Sequence, residues 1–356
     1  MLQDHWQTRE FEISIPAMQT IQDESLKSFL SEVLACIRST VNGAGSDLLV
    51  EMASYHFESV GKMLRPQVAF RLGQALGVEQ NDLVLWAACC EMLHNATLVH
   101  DDLQDGDSHR RGHMTIWKKY GPAQAINLGD FLMLLAPQLI LEMQTDSTRK
   151  LELMKLYSKM STRIVNGQSF EAILNQRFHI EMMEEGYFSC ISQKTSELFA
   201  GTAAGVALLS GASPNNVDHV AQTFINLGNI FQVQDDILDL YGDKQREKVG
   251  CDIREGKLSY LVVRHLMNRP SDLSELKEIL LKSRELTTDE DIQRVLELFK
   301  QGETLSQALD GMEKLLRQFD MDLACDSSVL NHIPVQKFVR EFSQDILKPI
   351  QHLRVP

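Results

Sequence analysis

An all-α fold, one domain of about a dozen helices bundled around a central cavity, is predicted by three observations. Apolar residues recur at helical spacing along nearly the whole chain, and strand-like alternation is absent. A hydrophobic content of 44% over 356 residues supplies a large core. No Pro/Gly/Ser-rich linker divides the chain, so 1–356 reads as a single domain. Its motif-bearing core covers about 46–267, and packing helices without a motif follow from about 270 to 356.

The elements follow from local signals. A first helix runs from about Asp23 to Val41 and stops before Gly43 and Gly45. A second begins near Ser46 and ends at the turn of Gly61 and Lys62. A third follows Pro66, which suits a first helical turn, and stops near Gly77. The stretch from Leu83 to Val99 is apolar at helical spacing and ends in an acidic cluster. Pro122 opens a helix containing Gly129 and Asp130, and another spans roughly Thr148 to Gln176. From Ile180 to Leu209 the chain is long and apolar, and Ala200, Gly201, Ala203, Ala204 and Gly205 permit close packing. Ser213 with Pro214 is a strong helix start. Beyond Gly256 the pattern continues from Leu258 to Met267, Leu273 to Ser283, Asp289 to Gln301, Leu305 to Phe319 and Val335 to His352.

Composition narrows the function classes. A formal charge of −14 argues against nucleic acid or an anionic membrane as partner. Cys36, Cys89, Cys90, Cys190, Cys251 and Cys325 show no metal-ligand spacing, and Cys89 with Cys90 lies in a helical pattern, so reduced core thiols are expected. The first ten residues lack the apolar core of a signal peptide. The longest apolar run, Phe131 to Met143, is too short for a bilayer and carries Pro137 and Gln138, so no transmembrane segment is expected. These features point to a cytoplasmic protein.

The chemistry is concentrated in His100 to Gly112, which reads H-D-D-L-Q-D-G-D-S-H-R-R-G. Asp101, Asp102, Asp105 and Asp107 crowd together and are followed by Arg110 and Arg111. They sit at a helix C-terminus, where the macrodipole is already negative. Asp101 and Asp105 stand one turn apart on one face, and like charges there repel. A cation relieves that repulsion, and two or three carboxylates with room for water suit Mg²⁺. Taken alone, the stretch also reads as a solvated acidic helix end before a basic turn. A second copy decides between the two. Phe231 to Asp243 reads F-Q-V-Q-D-D-I-L-D-L-Y-G-D, and Asp235, Asp236 and Asp239 repeat the spacing of Asp101, Asp102 and Asp105. Two helices ending in D-D-x-x-D can face one another across a cavity and hold several divalent ions around a diphosphate.

On these residues the chain resembles a trans-isoprenyl diphosphate synthase of the polyprenyl synthetase family, from about Gly61 to Leu266. The landmarks stand in family order: G-K-M-L-R-P at 61–66, H-x-x-x-x-x-H-D-D-x-x-D-x-x-x-x-R-R-G at 94–112 and G-D-F-L at 129–132. Then come G-Q at 167–168, K-T at 194–195, F-Q-x-x-D-D-I-L-D at 231–239 and G-x-D-I-R-E-G-K at 250–257.

The resemblance implies condensation of isopentenyl diphosphate with an allylic diphosphate by ionisation, alkylation and proton loss. Lys62, Arg65, His94 and Arg111 would hold isopentenyl diphosphate, since Lys and Arg suit phosphate oxygens. Mg²⁺, three ions per active site, would be held by Asp101, Asp102 and Asp105 on one wall and by Asp235 with Asp236 or Asp239 on the other. Arg110, Lys194, Lys248 and Lys257 would contact the allylic diphosphate, with Thr195 and Gln232 beside it. Gln232 could turn its amide oxygen toward a carbocation or make routine hydrogen bonds. Asp107 and Asp243 read as charges that support the ligands from behind or face solvent, and Asp130 as a brace for the basic loop by hydrogen bonding rather than a metal ligand. Ala96 and Thr97, one turn before Asp101 and both small, would leave the tail pocket open, giving a product of geranylgeranyl length or longer. The family also implies a homodimer.

Val60 stands where a first glycine is usual, His113 and Met114 replace lysine-proline, and Trp117 replaces a frequent histidine. Leu258, Ser259 and Tyr260 replace an apolar-Thr-apolar run. None removes a charge from the inferred site. Three rival readings are a class I terpene cyclase, a silent partner subunit of a heteromeric synthase and a metal-dependent hydrolase. The first expects an Asn/Asp-Ser/Thr-Glu motif on the second wall, the second eroded aspartates, and the third a general base that nothing here supplies.

Overall fold

The computed structural model describes residues 23–175, 183–242, 249–324 and 329–353. In chain order, α1 (Glu24–Ala44), α2 (Asp47–Phe57) and α3 (Leu64–Leu76) lead to α4 (Gln80–Gln104), which carries the first acidic stretch. A short ladder, β1 (His109–Arg110) with β2 (His113–Met114), precedes α5 (Ile116–Tyr120), α6 (Pro122–Leu135), α7 (Gln138–Glu142) and α8 (Ser147–Leu174). α9 (Met183–Ile191) runs through a π-helical segment, Ser192–Ser196, into α10 (Glu197–Leu209). α11 (Pro214–Tyr241) carries the second acidic stretch. Then come α12 (Cys251–Arg254), α13 (Tyr260–Asn268), α14 (Leu273–Leu280), α15 (Asp289–Gln301), α16 (Thr304–Leu323) and α17 (Ile333–Leu347). The all-α expectation holds, with more helices than a dozen because α5, α7 and α12 are single short turns.

Caps set most of the starts. The Asp23 carboxylate accepts the Ser25 and Leu26 amides at the head of α1, and Asp146 does the same for α8. Thr288 and Asp291 form a capping box on α15. Pro122 and Pro214 stand in the first turns of α6 and α11, where a missing N–H removes no helical bond. The third helix starts at Leu64 rather than after Pro66. Met63, at φ 49°, turns the chain into it, and Pro66 still falls within the first turn. The ladder departs from the strand-free expectation: His109 faces Met114, Arg110 faces His113, and Arg111 (φ 52°) with Gly112 (φ 81°) makes the tight reversal. The expected boundaries at Gln176 and Ile180, together with Asp243, Lys248 and Cys325, lie outside the described residues.

Two apolar clusters build the interior. The larger joins α1, α3, α4, α6, α8, α10, the first half of α11 and α17, through Phe29, Leu72, Met92, Leu132, Phe199 and Phe224. The smaller joins α9, the last turns of α11 and α13 to α16, through Ile237, Leu261, Val295 and Phe299. α10 lies between α4, α8 and α11, and its small residues allow the approach. A side chain at Gly205 would stand 2.1 Å from the Trp86 ring, and the Trp86 indole donates to the Thr202 carbonyl at 2.9 Å. The helical stretch Pro122–Glu142 is longer than the apolar run within it. With 21 residues it is long enough, and its most apolar 18 residues are hydrophobic enough, to cross a membrane, and 44% of those 18 are buried in the protein. Ala125, Leu128, Leu132 and Leu135 put it in the larger core. A core helix passes the same length test.

Candidate active site

The first wall is the end of α4. Asp105 is its C-cap, with its N–H on the Asp101 carbonyl. Asp102 is buried and pairs with Arg110, whose Nη2 lies 2.5 Å and Nε 2.7 Å from Oδ1. Burial lifts the Asp102 carboxyl to about 6 against the pull of Arg110. Burial also raises Asp101, with Asp105 and Glu171 adding to it and Lys194 opposing. It would raise Asp105 too, but Lys257 and Lys194 outweigh it and hold that group below its ordinary value.

The second wall is the end of α11. Asp236 is buried, and its carboxylate accepts the Tyr187 hydroxyl at 2.8 Å, the Tyr260 N–H at 2.7 Å and the Gln232 amide at 2.8 Å. Gln232 in turn accepts from the Thr195 hydroxyl at 2.9 Å. Its amide therefore bridges the K-T turn to Asp236, the hydrogen-bonding arrangement among the two sequence readings. Asp239 accepts the Asp252 N–H at 3.1 Å through its carboxylate and the Gly250 N–H at 3.1 Å through its carbonyl. Asp235 is half-buried one turn before it.

Two ammonium groups stand among these carboxylates. Lys257 Nζ lies 2.8 Å from Asp105 and 2.6 Å from Glu255, and Lys194 Nζ lies 2.6 Å from Glu171. Burial works against both charges. Asp101 and Glu171 around Lys194, and Glu255 and Asp105 around Lys257, nevertheless raise them above the ordinary lysine value. Lys257 thus ties the first wall to the α12 turn, and the start of that turn is bonded to Asp239. Lys194 sits in the π-helical segment, where one residue more than an α turn re-aims the side chain. Ser192 and Ser196 both donate to the Asn229 Oδ1 there, and a side chain at Gly167 would stand 2.5 Å from the Lys194 amide. Among the described residues no group of three His, Cys, Asp or Glu side chains forms a ready-made metal cage.

The basic set gathers beside the first wall. Arg65 is buried with its guanidinium 4.5 Å over the Phe199 ring and 3.2 Å from His94 Nε2. Burial pulls Arg65 down to about 10 while Glu91 opposes it, and burial with the nearby arginines holds His94 neutral, well below its ordinary value. Arg111 folds back from the ladder turn, donating to the Ser59 carbonyl at 2.7 Å, and its guanidinium occupies the space that a side chain at Gly61 would fill. Lys62 stands exposed at the rim. Val60 has an ordinary backbone, since the left-handed residue of this loop is Met63. Trp117 and Thr115 both donate to the Asp107 carbonyl at 2.7 Å, so the replaced histidine position now anchors the acidic loop. Ala96 is fully buried and Thr97 bonds the His94 carbonyl at 2.7 Å.

Some expectations change. Asp130 does not brace the basic loop: its carboxylate lies 3.5 Å from His100, because Gly129 brings α6 against that imidazole. Of the two readings of Asp107, the contact with Arg284 at 2.5 Å is the supporting one. His56, Glu91 and Asn95 carried no motif signal, yet they form a chain beneath the arginines. His56 Nε2 is 3.0 Å from Asn95 Oδ1, and the Asn95 amide donates to Glu91. With Tyr55, Ser59, Asp102, Arg110 and Arg111, His56 lines a cavity of about 20 Å³. Glu255 falls inside the R-E-G-K landmark, where a search for carboxylates near Lys257 would find it, whereas Glu171 follows the G-Q landmark and is 23 residues from its partner Lys194.

A model of the polyprenyl synthetase family matches residues 46–299. A geranylgeranyl diphosphate synthase of Saccharolobus solfataricus is 32% identical over 301 residues, covering 82% of this chain and 86% of its own. One from Sulfolobus acidocaldarius is 34% identical over 266 residues, covering 73% and 78%. A solved geranylgeranyl pyrophosphate synthase superposes with a TM-score of 0.80 at 27% identity, covering 91% of this chain and 98% of that one.

Proposed function

We infer the reaction from membership: the chain belongs to the polyprenyl synthetase family, and it is a transferase that elongates trans-prenyl chains. It condenses isopentenyl diphosphate with an allylic diphosphate, and we assign the product as geranylgeranyl diphosphate or longer. Lys62, Arg65, His94 and Arg111 take the isopentenyl diphosphate. Arg110, Lys194 and Lys257 contact the allylic diphosphate, with Lys248 assigned by motif alone. The pairing of Asp102 with Arg110, and of Thr195 and Gln232 with Asp236, holds those groups in place.

The donor set fits Mg²⁺. Hard carboxylate oxygens from Asp101, Asp102, Asp105, Asp235 and Asp239 are the ligands we assign, and this ion takes few protein ligands besides substrate phosphates. An acidic space in which Glu171, Asp101, Asp105 and Glu255 raise two half-buried lysines favours further positive charge. Magnesium, three ions per site in this proposal, supplies charge stabilisation to the departing diphosphate. The chain's own part is to align that group with Lys194, Lys257 and Arg110, and to hold the isopentenyl double bond beside the allylic carbon in a water-excluded pocket. The double bond attacks the allylic cation, and the departing diphosphate takes the proton, since no side chain in the motifs offers an evident base.

The observation that carries the reading is Lys257. It lies 2.8 Å from Asp105, and the backbone of its own turn, at the Asp252 N–H, is bonded to the Asp239 carboxylate, so one short turn touches an aspartate of each triplet, which supports a shared site. A homodimer and a cytoplasmic location complete the proposal. Exposed Leu134, Leu141, Leu151 and Val165 on α6 to α8 support the first, and the thiols of Cys36, Cys89, Cys90 and Cys190, unbridged among the described residues, the second. Incubation with Mg²⁺, isopentenyl diphosphate and allylic diphosphates of rising length tests the reaction. Elongated diphosphates are expected; a hydrocarbon product would make it a cyclase, and no turnover would make it a partner subunit.

A further inference from the structure

The segment after α13 reads in sequence as packing only, yet one of its residues enters the site. Arg284, in the turn between α14 and α15, donates from Nη1 to the Asp105 carbonyl at 3.0 Å and to the Asp107 carboxylate at 2.5 Å. The same nitrogen lies 3.1 Å from Glu255 Oε1. The other Glu255 oxygen is 2.6 Å from Lys257, and Lys257 returns to Asp105 at 2.8 Å. A closed ring therefore joins the end of α4, the turn after α12 and the α14–α15 turn.

Glu255 is the demanding member. Its side chain is 6% exposed, and among the described residues its carboxylate has two cationic partners, Lys257 and Arg284. A buried carboxylate that loses its pairing is strongly destabilised. On the reading above, Lys257 turns to the allylic diphosphate and weakens its hold on Glu255. We propose that Arg284 is a positioning residue: it keeps Glu255 paired and the end of α4 capped, so that Lys257 is free to meet the diphosphate. This rests on the proposed function for what Lys257 binds, and on the ring geometry for how Arg284 acts.

The test uses the full chain with Arg284→Gln, Arg284→Lys, Glu255→Gln and the Arg284→Gln/Glu255→Gln pair. Arg284→Gln is expected to raise KM for the allylic diphosphate about tenfold, the size of one lost charge-assisted bond, and to leave KM for isopentenyl diphosphate within about twofold. Arg284→Lys should restore most of the loss. Adding Glu255→Gln should relieve it too, because the carboxylate left unpaired is then gone. Equal rises in both KM values, no change, or no relief by Glu255→Gln would overturn the proposal. Melting of the ligand-free variants is read in parallel: Arg284→Gln should melt lower, and Glu255→Gln in that background should recover it. A parent that turns over neither substrate sinks the function reading. The melts then decide the ring, with recovery upholding it and equal melting overturning it.

Discussion

At the scale of single residues the basic set is held by shape as much as by charge. Arg111 keeps a left-handed backbone, and its guanidinium lies where Gly61 has no side chain. Gly61→Ala would bring a methyl group to 2.4 Å of that guanidinium, so the flexible arginine must move while the backbone stays. KM for isopentenyl diphosphate should rise about tenfold, with the melting temperature within about 2 °C of the parent. Steady-state kinetics at saturating allylic substrate checks this. His56 gives the pH behaviour. Burial pushes its imidazole down to about 4, with Arg110 and Arg111 adding to the shift. The unfolded chain takes up that proton near pH 6.5, so between about 6.5 and 4 the unfolded state binds more protons and stability falls with acidification. His56→Gln should therefore show a shallower loss of melting temperature over that window than the parent does. Identical acid limbs would remove His56 as a contributor.

At the scale of elements, each acidic triplet owes its place to a helix end, and on the proposed function α4 has a second task along its inner side. Ala96 is fully buried above Met92 and Leu93, one turn from Asp101. Ala96→Phe should shorten the product by at least one isoprene unit, read by chromatography of the dephosphorylated products. An unchanged chain length would mean that Ala96 is small only for helix packing. The π-helical segment shows what periodicity misses. Lys194 reads in sequence as either a snorkelling lysine or one aimed inward, and the extra residue per turn, held by Ser192 and Ser196 on Asn229, turns it to Glu171. Nothing in the local sequence separates a π turn from an α turn. Helix starts were legible where Asp23, Pro122 and Pro214 are direct chemical signals. The strand pair at Arg110 and His113 was not, because two residues a side are too few to show alternation.

At the scale of the molecule, what could be read was whatever lies within a few residues in sequence: the D-D-x-x-D copies, the R-R-G turn and the order of the landmarks. What could not be read was pairing across long separations. Asp105 meets Lys257 and Asp107 meets Arg284 only because the smaller core carries α12 to α15 against the end of α4. The charge of a remote residue leaves no trace near its partner, so a C-terminal segment without a motif still supplies part of the site. On the proposed function the two aspartate-bearing helix ends serve a single diphosphate. A double-mutant cycle with Asp101→Asn and Asp235→Asn, read as kcat/KM for the allylic diphosphate, tests it most directly. Each single variant should lose about a hundredfold or more, and the pair little beyond the worse single, since one shared site is already broken. Losses that multiply across the pair would mean that the two ends act independently, and would contradict the account.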